Sequence, residues 1–227
     1  MMALFPFFRD MQGKDVMIIG GGKHALEKIE RVLPYGPHVQ VIAETFMPEI
    51  EILAKEHDEV ELLYRSFADS DLDRFPFCVI AAGDDRAENR RISALCRERR
   101  ILVNVVDDQE YCDFVFPSLI SKGSLSIGIC TNGASPSTGV LLKRKVEAQI
   151  PEHVEEILDW LQEKRPAITE AIPAKKQRFA FYFKLSEMCM DMDRPLTEEE
   201  FAAMLQEEQE TGGPMTIGNP PAESQCN

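Results

Sequence analysis

The chain has 227 residues, 44% of them hydrophobic, with 25 Lys+Arg against 39 Asp+Glu and a formal net charge of −14. This length can bury one or two cores, no run approaches the ~18 apolar residues of a membrane-spanning helix, and the start of the chain has no basic flank followed by an apolar stretch, which predicts no secretory signal. So acidic a chain excludes general nucleic-acid binding, which needs a basic face for phosphates.

Residues 15–20 predict a short apolar strand entering a glycine turn. Ala25, Ile29 and Val32 then recur at helical spacing, and Pro34-Tyr35-Gly36-Pro37 stops that helix. Strands are predicted over 39–43, 60–64, 77–82 and 101–106, with helices over 47–57 and 86–100. This alternation implies βαβ crossovers and a parallel sheet. The near-continuous apolar strands imply a sheet covered on both faces.

The rhythm changes after residue 113. Residues 114–117 and 125–130 read as an antiparallel pair around a Lys122-Gly123 turn. A helix follows from Pro136, another carries Val154, Ile157, Leu158 and Leu161 at half-buried spacing, and two more cover 175–192 and 197–209. Residues 211–227 are rich in Gly, Pro and polar side chains and read as a disordered tail.

The chain contains six cysteines: Cys78, Cys96, Cys112, Cys130, Cys189 and Cys226. None form a C-x-x-C pair, so no zinc or redox motif is signalled, and reduced cytosolic thiols are expected. The four histidines, His24, His38, His57 and His153, form no H-x-x-x-H pair.

Gly20-Gly21-Gly22-Lys23-His24-Ala25 matches G-x-G-x-x-A between a strand and a helix. Gly20 permits the tight turn, Gly22 lets the backbone approach a pyrophosphate, and Ala25 allows close helix–strand packing. The N–H groups at the helix start favour the anion. The acid expected on the ribose hydroxyls is Glu44, 22 positions beyond Gly22, and it would disfavour a 2′-phosphate. A solvated loop acid is the competing reading.

Ala81-Ala82-Gly83-Asp84-Asp85 follows the fourth strand and should face the cofactor, with Ala82 and Asp84 as contacts. One of the two aspartates is expected to cap the next helix. Asn104-Val105-Val106-Asp107-Asp108 ends the fifth strand in the same crevice. A carboxylate there could be a general base, a metal ligand or a partner for a substrate cation, or a plain strand-end acid. Thr131-Asn132-Gly133-Ala134-Ser135-Pro136 is a small-residue turn feeding a helix, with Ser135 as N-cap and Pro136 at the first helical position. Such a turn can hold carboxylates or phosphates.

Together these motifs resemble the precorrin-2 dehydrogenase and sirohydrochlorin ferrochelatase family, the N-terminal part of siroheme synthases. The carriers are Gly20-Gly21-Gly22-x-x-Ala25 with Lys28, Ala81-Ala82-x-Asp84-Asp85, Asn104-Val105-Val106-Asp107, Phe116-Pro117-Ser118 and Gly133-Ala134-Ser135-Pro136. The resemblance implies oxidation of precorrin-2 to sirohydrochlorin with NAD⁺, and in some members Fe²⁺ insertion to give siroheme. It implies a cytoplasmic homodimer, with the middle strands and following helix as interface and a small helical domain closing the substrate cleft. Asp107 falls on the family's key aspartate for oxidation and, where present, for chelation. Dinucleotide contacts fall on Gly22, Lys23, His24, Glu44 and Thr45, beside Gly20, Gly21 and the strand-end Ala82, Asp84 and Asn104. The substrate site falls on Thr131, Asn132, Gly133, Ser135 and Lys143.

The expected division is α/β: a Rossmann domain over 1–113, a dimerisation segment over 114–148, a helical domain over 149–210 and the tail. The chain departs from the family pattern at Leu26-Glu27, at Val140 and at Asn132. The first two departures remove arginines, whose forks bind carboxylates bidentately. Two rival readings remain beside the dehydrogenase: an NAD(H)-sensing module without chemistry, and a chelatase alone.

The charge is unevenly spread. Residues 197–227 hold seven acids and no base, whereas 141–184 hold nine bases against seven acids. Screening at about 8 Å lets local charge outweigh net charge. A polyanionic substrate is therefore expected near Lys143, Arg144, Lys145, Lys175, Lys176 and Arg178, between the glycine turn and the helical half.

Overall fold

A computed structural model describes residues 4–211. It divides into two compact units. The first runs to Phe116 and takes in Asn132–Ala134.

Its five strands are β1 (Asp15–Ile19), β2 (His38–Ala43), β3 (Val60–Tyr64), β4 (Cys78–Ala81) and β5 (Leu102–Val105), all parallel, in the order β3-β2-β1-β4-β5. Central β1 shows why the apolar runs are continuous. Val16 and Ile18 face one way, toward Ala25, Ile29 and Val32 of α1 (Lys23–Val32) and Ile50 of α2 (Pro48–Glu56). Met17 and Ile19 face the other way, toward Ile92 and Cys96 of α3 (Arg86–Glu98). Both faces are covered, so alternation with polar residues disappears. Burial pushes the Cys78 and Cys96 thiols up to about 12, as expected of inert core cysteines. Past α1, a 3-10 turn at Leu33–Tyr35 ends in Gly36 at φ 68°, a left-handed conformation glycine adopts without strain.

The second unit is Pro117–Thr131 with the residues from Ser135 onward. Strands β6 (Ser118–Lys122) and β7 (Leu125–Ile129) pair antiparallel, with α4 (Pro136–Glu147) against both. Helices α5 (Val154–Ala171), α6 (Lys175–Met192) and α7 (Glu198–Thr211) enclose a core of Ile157, Trp160, Ile168, Phe181, Leu185 and Phe201. Trp160 meets Phe201 edge-on at 5.6 Å, a favoured aromatic geometry. A capping box fixes the start of α7: the Thr197 N–H donates to Glu200 at 2.8 Å, and the Glu200 N–H donates to Thr197 Oγ1 at 3.2 Å. The Arg194 guanidinium and the Thr197 amide hold the Glu200 carboxyl down at about 2. No helix among the described residues is long and apolar enough to cross a membrane.

Two expectations are corrected. The segment 114–117 is not a strand; pairing begins at Ser118, after Pro117, which has no N–H to give. Phe114 and Phe116 instead lie 5.7 Å apart and pack against the first core, and the Phe114 carbonyl accepts from Asn104. The turn between β6 and β7 is Gly123-Ser124 rather than Lys122-Gly123, because Lys122 still pairs with Leu125. The expected tail lies outside the described residues, apart from Thr211, which ends α7.

Candidate active site

In the first unit all five carboxyl strand ends share one edge, and the strand order reverses between β1 and β4. Open α/β sheets bind ligands at such a switch point. The backbone ladder carries the loops directly out of the strands. Gly20 donates to the Ile42 carbonyl at 2.9 Å, Ala82 to Ile19 at 2.8 Å and Val106 to Ala81 at 3.0 Å.

The three glycines have three different reasons. Gly20 sits at φ 130°, and a Cβ there would lie 2.5 Å from the Ala82 carbonyl oxygen. A Cβ on Gly21 would lie 2.0 Å from the Thr45 carbonyl oxygen. At Gly22 the same atom would meet nothing within 4 Å. Gly22 is the N-cap of α1; no side chain caps that end, and its first turn holds no acid. Backbone N–H groups thus face an open space that a Cβ would begin to fill. This is the cradle a pyrophosphate needs, so the residues present fit a dinucleotide.

Glu44 and Thr45 are exposed just past β2. The Ser66 hydroxyl, just past β3, donates to Glu44 Oε1 at 2.5 Å. The pairs of adjacent aspartates are divided in role. Asp85 caps α3, accepting from the Ala87 and Glu88 amides at 2.8 and 3.3 Å, which leaves Asp84 in the loop. Asp108 is 12% exposed and accepts from Arg90 Nε at 2.8 Å. Asp107 is 80% exposed, at φ 57°, with its carboxylate 3.9 Å from His24 Nε2. An exposed aspartate held left-handed at a strand end is the kind of local strain that collects at functional sites.

The Asp107 loop is braced from below. Asn104 is buried and donates to the Phe114 carbonyl at 2.9 Å. The Cys112 thiol accepts from the Val105 amide at 3.1 Å, and Arg86 reaches the Asp107 carbonyl at 3.3 Å. Half-buried Lys28 lies 4.5 Å from the Phe116 ring centre; burial, then Arg31, pulls its ammonium below the ordinary lysine range. Gln109 donates to Asn132 Oδ1 at 3.3 Å, and Gly133, at φ 79°, leaves room for the Gln109 amide.

In the second unit, Thr131 Oγ1 donates to the Ser135 carbonyl at 3.0 Å. Ser135 is the N-cap of α4, accepting from Thr138 N at 3.2 Å. Lys143 lies two turns on, half-buried. Gly139 packs on Ser118 Oγ, 3.2 Å from where a Cβ would sit.

Residues 7–118 match a protein family described as "Putative NAD(P)-binding". The siroheme synthase of Zymomonas mobilis is 35% identical over 183 residues, 81% of this chain and 38% of that protein. The siroheme synthase of Neisseria meningitidis serogroup C is 30% identical over 228 residues, 98% of this chain and 47% of that protein. Over most of its length the chain is similar to siroheme synthases. It spans less than half the length of these curated relatives. The solved structure of "SirC, precorrin-2 dehydrogenase" superposes with TM-score 0.68 at 21% identity, covering 91% of this chain and all of that one, so the two share a fold.

Three residues escaped the sequence reading. Ser66 carries no motif; only β2–β3 pairing puts it beside Glu44. Arg86 and Gln109 act through contacts 21 and 23 residues away, which no local pattern announces.

Proposed function

We propose that the chain oxidises precorrin-2 to sirohydrochlorin with NAD⁺. The observation that carries this reading is the exposed, left-handed Asp107 on the same strand-end edge as the open space beside Gly22. When held there, NAD⁺ would supply the two-electron acceptor that the oxidation of the reduced tetrapyrrole requires. The protein's own tasks are orientation and the proton. The backbone amides at Gly22 and Lys23 would hold the pyrophosphate, and Glu44 would hold the ribose hydroxyls. Asp107 takes the proton that accompanies hydride loss, with His24 beside it as the next acceptor. Thr131, Asn132, Gly133, Ser135 and Lys143 are the proposed contacts for the substrate's carboxylates. Iron insertion, where it occurs, rests on Asp107; among the described residues no cluster of three or more His, Cys, Asp or Glu side chains could hold a metal.

The test mixes protein, precorrin-2 and NAD⁺ and follows sirohydrochlorin absorbance. Turnover is expected. Tight dinucleotide binding without turnover would leave the sensing module, and Fe²⁺ uptake by sirohydrochlorin without dehydrogenation would leave the chelatase.

The working form is proposed to be a cytoplasmic homodimer. Helix α4 buries only Gly139 and exposes Val140, Leu141, Leu142 and Val146, with Leu141 52% exposed. Leaving these side chains in water forgoes about 1–2 kcal/mol each, and a second copy would cover them. Light scattering should give a dimer for the native chain and a monomer for Leu141→Glu with Leu142→Glu. A monomeric native chain would remove this part of the proposal.

A further inference from the structure

Glu44 alone does not define how the ribose end is read. β3 pairs with β2 up to Tyr64, and the Arg65 amide then donates to the Ala43 carbonyl at 3.0 Å. This brings residues 65 and 66 alongside Glu44. Two side chains here are already committed. Ser66 Oγ donates to Glu44 Oε1 at 2.5 Å, the short distance of a charge-assisted bond. Arg65 gives both terminal nitrogens to Asp71, at 2.8 and 2.7 Å, as a fork on a carboxylate. Asp71 is held in turn by the Ala68 amide at 2.9 Å and is only 12% exposed. The Arg65 fork holds the Asp71 carboxyl below the usual carboxylate range.

An Arg fork at this place is the chemistry that would receive a 2′-phosphate. Asp71 takes it up, while Ser66 fixes the carboxylate that receives a 2′-hydroxyl. We propose that Ser66 and the Arg65–Asp71 pair, acting with Glu44, set selectivity for a dinucleotide with a bare ribose diol over one carrying a 2′-phosphate. Ser66 and Asp71 are positioning residues: one orients Glu44 and the other withdraws Arg65. The inference rests on the dinucleotide site proposed above.

The experiment is equilibrium titration of the full chain with NAD⁺ and NADP⁺, with no turnover required. The native chain should bind NAD⁺ at least about tenfold more tightly than NADP⁺. Asp71→Asn keeps an oxygen for the Ala68 amide and releases Arg65; it should tighten NADP⁺ about tenfold and leave NAD⁺ unchanged. Adding Arg65→Met should cancel that gain. Exposed Ser66→Ala should weaken NAD⁺ several-fold without affecting NADP⁺ or melting, and Ser66→Thr should restore it. A merely structural pair would move both dinucleotides together. An unchanged NAD⁺/NADP⁺ ratio in Asp71→Asn and in Ser66→Ala overturns the selectivity proposal while the dinucleotide site stands. Binding of neither dinucleotide by the native chain overturns both.

Discussion

Asp107→Asn is expected to lower precorrin-2 turnover by roughly 10²–10⁴-fold, the usual weight of a positioned acid–base group, with NAD⁺ affinity within about twofold of native. The substitution is chosen on the backbone. Asp107 sits at φ 57°, where an alanine would be strained and an asparagine is at home. Its side chain is largely in solvent and its carbonyl holds Arg86, so the variant should melt as the native chain does. The neighbour supplies the contrast. Asp108→Asn weakens the 2.8 Å bond to Arg90 and should reach turnover only by loosening the loop, with a lower melting temperature. Full turnover by Asp107→Asn would remove the carboxylate from the mechanism, and a pH–rate profile would show whether another group had taken its place.

The first unit was legible because its signals are local. An apolar run, a glycine turn and a helix with Ala25, Ile29 and Val32 on one face repeat a single pattern. The boundaries of β3 and α6 fall where the spacing puts them, at Val60–Tyr64 and Lys175–Met192. What stayed hidden depends on partners distant in sequence. Asp84 and Asp85 look alike until Asp85 turns onto the Ala87 and Glu88 amides. Asp107 and Asp108 look alike until Arg90, a full strand away, selects Asp108. Phe114, Val115 and Phe116 read as a strand because they are apolar, yet Pro117 follows them without an N–H, the Phe114 carbonyl is taken by Asn104, and Phe114 and Phe116 pack on the core. Asn104 shows the limit of a motif. Its place in Asn-Val-Val-Asp suggests a cofactor contact, while its amide is already spent on the loop that carries Asp107.

Gly21→Ala and Gly22→Ala are adjacent, chemically identical changes and should fail in opposite ways. The added methyl at position 21 would lie 2.0 Å from the Thr45 carbonyl and 3.0 Å from Ala43 Cβ. The obstacle is backbone, and it is tied down, since Met47 donates to the Gly21 carbonyl at 2.8 Å. Something in the β2–α2 connection must move, at about 1–3 kcal/mol or more. For a chain of this size that lowers the melting temperature by on the order of 5–10 °C. It also drags Glu44 and Thr45 from the ribose position, so NAD⁺ binding should fall with stability. At position 22 the methyl enters open space from an ordinary φ of −95°, so stability should hold to within about 1 kcal/mol. The space it enters is the one proposed for the pyrophosphate, and NAD⁺ affinity should drop at least about tenfold. Thermal melting and NAD⁺ titration on the two variants therefore separate the glycine that the fold requires from the glycine that the ligand requires. A Gly22→Ala protein that bound NAD⁺ as tightly as the native chain would show that the pyrophosphate does not lie against α1, and the orientation of the whole cofactor along the strand ends would have to be redrawn.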